Sequence, residues 1–290
     1  MRTESLAALA DRYGVRLEAV REVPGGVANR AYLLGDELFL RIPRSPAFER
    51  DLRKEAAVIP VARAAGVRTP AIVEFDASRR LLAAPYMVVE RVRGRDLVGR
   101  EAPEKSFWEE VGRQVALLHA VQPAPLEGVT SDDGGGDPRP TVDRLATEGY
   151  LDSGTANWLL GWFDRLAVHI PQDQPHKLLH GDLAPQNLLA SDSDNHLEAL
   201  IDWGDAAWGP PGMEFAKLPL EQVAAALPSY RSTEGLEAAA LWFHLSWGVS
   251  AIPKPPQPNQ RHWTAPPTSR LLGVLRFFAA GPPAPWSGLA

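Results

Sequence analysis

Two short polar stretches set among apolar residues carry the side chains best suited to chemistry. LLHGDLAPQNLLA, residues 178–190, places Asp182 and Asn187 five positions apart between pairs of leucines. Further on, LEALIDWGDA reads as a buried strand that delivers Asp202 to its end. The leucines at 178, 179, 188 and 189 would anchor the first loop in a core on both sides, turning both polar side chains into one pocket. That set of groups suits phosphoryl transfer. Asp182 is the candidate base for an attacking hydroxyl, and the Asn187 amide oxygen and the Asp202 carboxylate are hard ligands appropriate for Mg²⁺. Singly, an aspartate in a loop is usually a turn former and an asparagine usually a cap. The joint pattern, HGDxxxxN, a polar turn and then two apolar residues before Asp-Trp-Gly, arises far less readily by chance.

Those groups need elements to hold them. Residues 3–13 have the pattern of a short helix. VRLEAVREV, RAYLLG and ELFLRIP alternate with period two and read as three strands, the first two joined by the turn PGGVAN at 24–29. FERDLRKEAAVIPVARAAG reads as an amphipathic helix with Leu52, Ala56, Ile59 and Ala62 or Arg63 on one side, stopping at Gly66. IVEFDA and PYMVVERV are two further strands. After VRGRDL the pattern turns helical. Phe107, Val111, Val115 and Leu118 form one stripe and Trp158, Trp162, Leu166 and Ile170 another, both read as core packing. The turn-rich stretch 122–140 and the proline-rich 252–267 are expected loops. The expected class is therefore α+β. A β-rich lobe with one inserted helix spans 1–93, and a mainly helical lobe spans 94–290, with a hinge near 90–95.

Composition narrows the function. The chain has 290 residues, is 45% hydrophobic and 23% charged, and has a formal net charge of −6, with no cysteine. Disulfides and thiolate metal sites are excluded, and broad nucleic-acid binding is not expected of an acidic chain. No apolar h-region opens the sequence and no run reaches eighteen apolar residues, so no membrane association is expected and cytoplasmic is the expected location. GxxxxGK[ST], HExxH, GxSxG and GxGxxG are all absent. His176 and His180 are four apart, but Pro175 and the strand-like LLH argue against a helical metal chelate.

HGDLAPQN followed by IDWGDA resembles the motif pair of the aminoglycoside phosphotransferase family, small-molecule relatives of the protein kinases. The resemblance extends from PGGVANRAYLL to IDWGDAAWGPPGMEFAKL. It implies a protein-kinase-like bilobal fold, a small antiparallel β lobe plus a larger helical lobe, with ATP or GTP bound between them together with Mg²⁺. It assigns Asp182 as catalytic base, Asn187 and Asp202 as metal ligands, and His180 as a support of the loop. PGGVAN matches the phosphate-covering hairpin, which implicates Gly25, Gly26 and Asn29. VVERVRG resembles the hinge, where the Glu90 carbonyl and the Val92 amide would meet the adenine edge. The family commonly pairs a third-strand lysine with a helix glutamate. Here Arg41 stands at the lysine position opposite Glu55, keeping the charge but changing its shape.

The motifs define the reaction better than the acceptor. Aminoglycosides, macrolides and hydroxylated metabolites all come into view, and the acidic balance leans towards a cationic acceptor. Trp208, Trp242, Trp247 and Trp263 could instead frame an apolar one. A nucleotide-binding pseudokinase, motivated by Arg41, is the alternative, and a protein kinase proper ranks last because no APE-like segment follows IDWGDA. No obligate protein partner is evident.

Overall fold

A computed structural model describes residues 3–23, 26–98, 103–192, 196–231, 234–254, 267–279 and 281–289. Helix α1 (Thr3–Arg12) precedes a five-stranded sheet of β1 (Val20–Val23), β2 (Asn29–Leu34), β3 (Leu38–Pro43), β4 (Ile72–Asp76) and β5 (Tyr86–Glu90). The strands lie in the order β1-β2-β3-β5-β4, each pair antiparallel. Helix α2 (Glu49–Ala64) is inserted between β3 and β4 and ends at Gly66, whose φ of 89° closes the helix.

Strand alternation sorts the side chains of this sheet. Tyr32, Leu34, Leu40, Ile42, Tyr86 and Val88 pack with Leu9 of α1 on one face. Met87 and Val89 point the other way, onto Leu52, Val58, Ile59 and Ala62 of α2. Arg41 lies opposite Met87 in the register, so its side chain must also leave from the α2 face. The first expected strand is shorter than its alternation suggested. Residues 17–19 form a 3₁₀ turn and pairing starts only at Val20. The Val15 amide folds back onto the Ala10 carbonyl, so that end of the pattern packs under α1 instead of joining the ladder. On α2 the buried positions are Leu52, Glu55, Val58, Ile59 and Ala62; Ala56 is only half-buried.

The helical part contains α3 (Lys105–His119), α4 (Arg139–Thr147), α5 (Ser153–Ala167), α6 (Leu220–Tyr230), α7 (Leu236–Ala251) and α8 (Pro267–Phe278). Both expected stripes are core: Phe107, Val111, Val115, Leu118, Trp162 and Leu166 are buried, and Trp158 and Ile170 pack against them. The loop expected to run to residue 140 gives way two residues early. Helix α4 begins at Arg139 with Pro140 in its first turn, where a missing N–H costs nothing, and buries Val142 and Leu145. Most of the expected proline-rich loop, with Trp263, lies outside the described residues. Among the described residues no helix is long and apolar enough to cross a membrane.

Two small ladders interrupt the helices and carry the polar motifs. β6 (Lys177–Leu179) pairs with β9 (Ala207–Gly209), and β7 (Leu188–Ala190) pairs with β8 (Leu197–Leu200). The segment after β5 is tied to them, because Arg95 and Ala190 exchange backbone hydrogen bonds at 2.9 Å. Gly94 runs so close that a Cβ there would lie 2.8 Å from the Ala190 carbonyl oxygen.

Helix α3 is equally close to α6: a Cβ on Gly112 would sit 2.1 Å from the Ala226 carbonyl oxygen. Gly112→Val should therefore force the two helices apart. A urea melt is expected to show a loss of about 1–3 kcal/mol or more.

Candidate active site

The two ladders bring the motif residues together. In β7–β8, Leu188 faces Leu200, and the Ile201 amide donates to the Asn187 carbonyl at 3.0 Å. Asn187 and Asp202 are thus neighbours at one end of a ladder. Strands β6 and β9 bracket the same region, since Leu179 faces Ala207. The loop 180–187 and the loop 202–206 consequently touch through their backbones. A Cβ on Gly181, whose φ is 78°, would lie 2.2 Å from the Asp205 carbonyl oxygen, so glycine is required there. Asp202 adopts φ 69° and ψ 72°, a left-handed conformation that costs a non-glycine residue about 1 kcal/mol or more.

The Asp182 carboxylate is mostly enclosed and held by three donors. Its Oδ2 accepts from Asn187 Nδ2 at 2.7 Å and Gln186 Nε2 at 3.3 Å, and its Oδ1 accepts from Lys217 Nζ at 2.7 Å. Asn187 Nδ2 also donates to the Asp182 carbonyl at 2.8 Å. Two oxygens on that nitrogen fix the amide orientation, which leaves Asn187 Oδ1 as the atom free to accept or to ligate. The Asp202 carboxylate is about half exposed, 48%, and its Oδ1 accepts from Arg41 at 2.8 Å. An amide oxygen and a carboxylate at one ladder end are the kind of donors Mg²⁺ takes when phosphates and water complete its shell. Among the described residues no cluster of three or more His, Asp or Glu converges, so no closed all-protein cage competes with that arrangement.

Arg41 is no solvated surface charge. Its guanidinium is 15% exposed and bridges Glu55 of α2, which is wholly buried, and Asp202 of the loop. Burial works to lower the Arg41 pKa, but Glu55 and Asp202 outweigh it and move it upward. Burial pushes the Glu55 carboxyl up to about 7, against the charge of Arg41 and with help from the neighbouring Asp202. Asp51 is also raised, by burial first, with Asp205 and Asp202 adding to it against Lys54.

His180 is fully buried and acts as a brace. Its Nε2 faces the Ile201 carbonyl at 3.0 Å while Nδ1 accepts from the Asp182 amide at 3.3 Å. Those partners require the neutral tautomer protonated on Nε2, with both ring nitrogens engaged. The ring packs on Trp203 with centroids 4.5 Å apart, and Trp203 Nε1 donates to Thr69 Oγ1 at 2.9 Å. Behind the loop, Glu214 accepts from the His180 amide at 2.6 Å and the Gly181 amide at 3.2 Å. Burial alone would raise the Glu214 pKa, but the nearby ring of His119 and the interactions with His180 bring it below the usual value. His119 Nε2 lies 3.5 Å from Glu214, and its Nδ1 is 2.7 Å from the Tyr230 hydroxyl.

Sequence reasoning missed Glu214, Lys217, Gln186 and His119. A signal existed for two of them: GMEFAKL sets one acid and one base three residues apart in an otherwise apolar stretch. Both belong to the 3₁₀ turn Pro211–Lys217, which points Glu214 under the loop and Lys217 at Asp182.

On the nucleotide side, Gly25 lies outside the described residues. Gly26 has open space around it, and its carbonyl accepts from Arg44 Nε at 3.2 Å. Asn29 opens β2 opposite Pro43; it is buried, with Oδ1 lacking a partner. Along β5 the Arg91 amide donates to Glu37 on the β3 side and the Glu90 amide donates to Ala71 on the other. By alternation the Glu90 carbonyl and the Val92 amide face away from β3, beyond the end of β4. The Glu90 side chain is exposed.

The chain is similar in sequence and in fold to known phosphotransferases. The model of the phosphotransferase enzyme family matches residues 19–242. An aminoglycoside 3'-phosphotransferase of Streptomyces fradiae is 29% identical over 58% of this chain and 64% of its own length. Acyl-CoA dehydrogenase family member 10 of Mus musculus is 24% identical over 65% of this chain and 18% of its own. The chain thus spans less than two thirds of the length of the curated relatives it matches. Among solved structures, the GDP complex of aminoglycoside 2'-phosphotransferase-IIIa superposes with a TM-score of 0.71 at 19% identity, covering 95% of this chain and 98% of that one. Macrolide 2'-phosphotransferase MphH of Brachybacterium faecium gives 0.60 at 17% identity, over 96% and 94%. The α+β, kinase-like bilobal fold is therefore shared with them.

Glu55 generates a testable pH dependence. The unfolded chain ionises this carboxyl near the ordinary 4.5 and the folded chain near 7, so folding loses stability as pH rises through that window. Urea midpoints for Glu55→Gln are expected to flatten between those values. Arg41→Ala removes the cation that opposes the effect of burial on Glu55, so the carboxyl should stay protonated at neutral pH and the pH dependence of the urea midpoint should move to higher pH.

Proposed function

The chain belongs to the phosphotransferase enzyme family, and on that premise we propose that it transfers the γ-phosphoryl group of ATP or GTP to a hydroxyl of a small molecule, with Mg²⁺. The observation that carries this reading is the convergence of Asp182, Asn187 and Asp202, with Asn187 Nδ2 tying the loop to both the carboxylate and the carbonyl of Asp182.

In this reading the acceptor oxygen attacks the γ-phosphorus, its proton passes to the Asp182 carboxylate, and the bond to the leaving nucleoside diphosphate breaks. Mg²⁺ held by Asn187 Oδ1 and Asp202 would offset the charge on the phosphates. Arg41, clamped by Glu55, offers the phosphates the guanidinium nitrogen that now bonds Asp202. Gly26, ahead of β2, would cover the phosphates, with Asn29 at the start of that strand and Gly25 next to Gly26 in the sequence. The Glu90 carbonyl and Val92 amide read the base. His180 keeps the loop in register. The formed Arg41–Glu55 pair favours an active enzyme over a pseudokinase.

Solved relatives were obtained with GDP and with ATP, so both nucleotides belong in the first assay. Aminoglycosides and macrolides, which name several relatives, open the acceptor panel, followed by hydroxylated metabolites. Nucleoside diphosphate release should depend on one acceptor class and fall about 10²–10⁴-fold in Asp182→Asn. Nucleotide affinity, measured by the shift in melting temperature with Mg²⁺ and nucleotide, should hardly change. Release that persists undiminished in Asp182→Asn would refute the assignment of the base.

A further inference from the structure

Lys217 is absent from the motif pair, yet its ammonium group is the nearest cation to the candidate base. It comes from the 3₁₀ turn 211–217, lies 2.7 Å from Asp182 Oδ1 and 3.6 Å from Asp205 Oδ2, and stands 5.9 Å from the centre of the Trp247 ring. Its side chain is 21% exposed, so it is fixed in the wall of the site.

A count of lone pairs shows what this means for the acceptor. An ionised carboxylate has about four acceptor positions. On Asp182, Oδ2 already receives Asn187 and Gln186, and Oδ1 receives Lys217. The remaining position is on Oδ1, so an acceptor hydroxyl that gives up its proton there must sit beside the ammonium group, about 4 Å from it. The groups flanking that hydroxyl then fall on the ground between Asp182 and Asp205, which Lys217 occupies.

Resting on the phosphotransferase reading, we propose that Lys217 determines acceptor specificity: it supplies from the protein the cation that bridges Asp182 and Asp205, and so selects acceptors whose reacting hydroxyl has no ammonium group on the adjacent carbon. An amino sugar of that kind would compete with Lys217 for the same two carboxylates. A neutral polyol has no such conflict, and its hydroxyl gains the Lys217 ammonium as a donor to the developing phosphoester oxygen. The wall beyond is apolar. Phe243 and Trp247 are four apart on α7, and Phe243 and Met213 pack against Gly134 of the loop 131–136. In the same loop Asp132 and Asp133 accept from the Gly134 and Gly135 amides. The acidic total charge of the chain pointed to a cationic acceptor; the charges beside the base point elsewhere.

Matched acceptors test this: galactose against galactosamine, and 1,2-propanediol against 1-amino-2-propanol, each read as Mg²⁺- and nucleotide-dependent diphosphate release. The ratio of kcat/KM within a pair is independent of how much of a variant is folded. Wild type is expected to favour the neutral member by about tenfold or more, and Lys217→Ala, which vacates the place between the two carboxylates, to lower that ratio about tenfold or reverse it. Lys217→Arg should keep the preference. A wild type that favours the amine, or a ratio that stays within about twofold in Lys217→Ala, overturns the proposal. No release above the Asp182→Asn background with any acceptor, water included, sinks the phosphotransferase reading and this inference with it.

Discussion

Glu214 and Glu55 are carboxylates removed almost entirely from water, and a charge in that position must be surrounded by donors or be neutralised. Each solves the problem by reaching into a neighbouring element. Glu214 gathers the amides of His180 and Gly181 and the ring of His119. Glu55 takes Arg41 from the sheet, and Arg41 in turn holds Asp202. The loop of Asp182 hangs on the first carboxylate and the side chain of Asp202 on the second. Neither loop has enough regular structure of its own to hold its shape, since β6 and β7 are three residues each.

The loops are joined to each other as well as to these anchors. Gly181 lies against the Asp205 backbone, His180 bridges from the Asp182 amide to the Ile201 carbonyl, and Trp203 closes the space behind them. The strained backbone of Asp202 persists because this packing over-determines it. The result is a rigid floor with two exposed or half-exposed carboxylates, Asp202 and Asp205, and one enclosed, Asp182. Such a graded set suits metal binding at the open end and proton transfer at the closed end. His180, which could look like a proton carrier, is excluded from that role by the partners on both of its nitrogens.

Net charge and local charge act over different ranges. An acidic total suggests cationic ligands, while within a few ångströms of the Asp182 carboxylate the bonded charge is the Lys217 ammonium. Beyond the Debye length the net charge is screened, whereas a direct contact inside a partly closed cleft is not.

Sequence alone determined the α+β class, the helical stripes and the grouping of Asp182, Asn187 and Asp202, because each depends on local periodicity or on short spacing; the antiparallel β lobe was what the family resemblance implied. Tertiary structure alone decided three things. It shortened the first strand, because Val15 folds back under α1. It turned an unremarked acid and base in GMEFAKL into the brace of one loop and the partner of its aspartate, 32 and 35 residues away from Asp182 in number but in contact with its loop in space. It also set Trp247, among the described tryptophans, 5.9 Å from the Lys217 ammonium. Contacts of that separation leave no periodic trace, since what places them is the packing of a 3₁₀ turn and a helix against a loop, and no spacing along the chain encodes it.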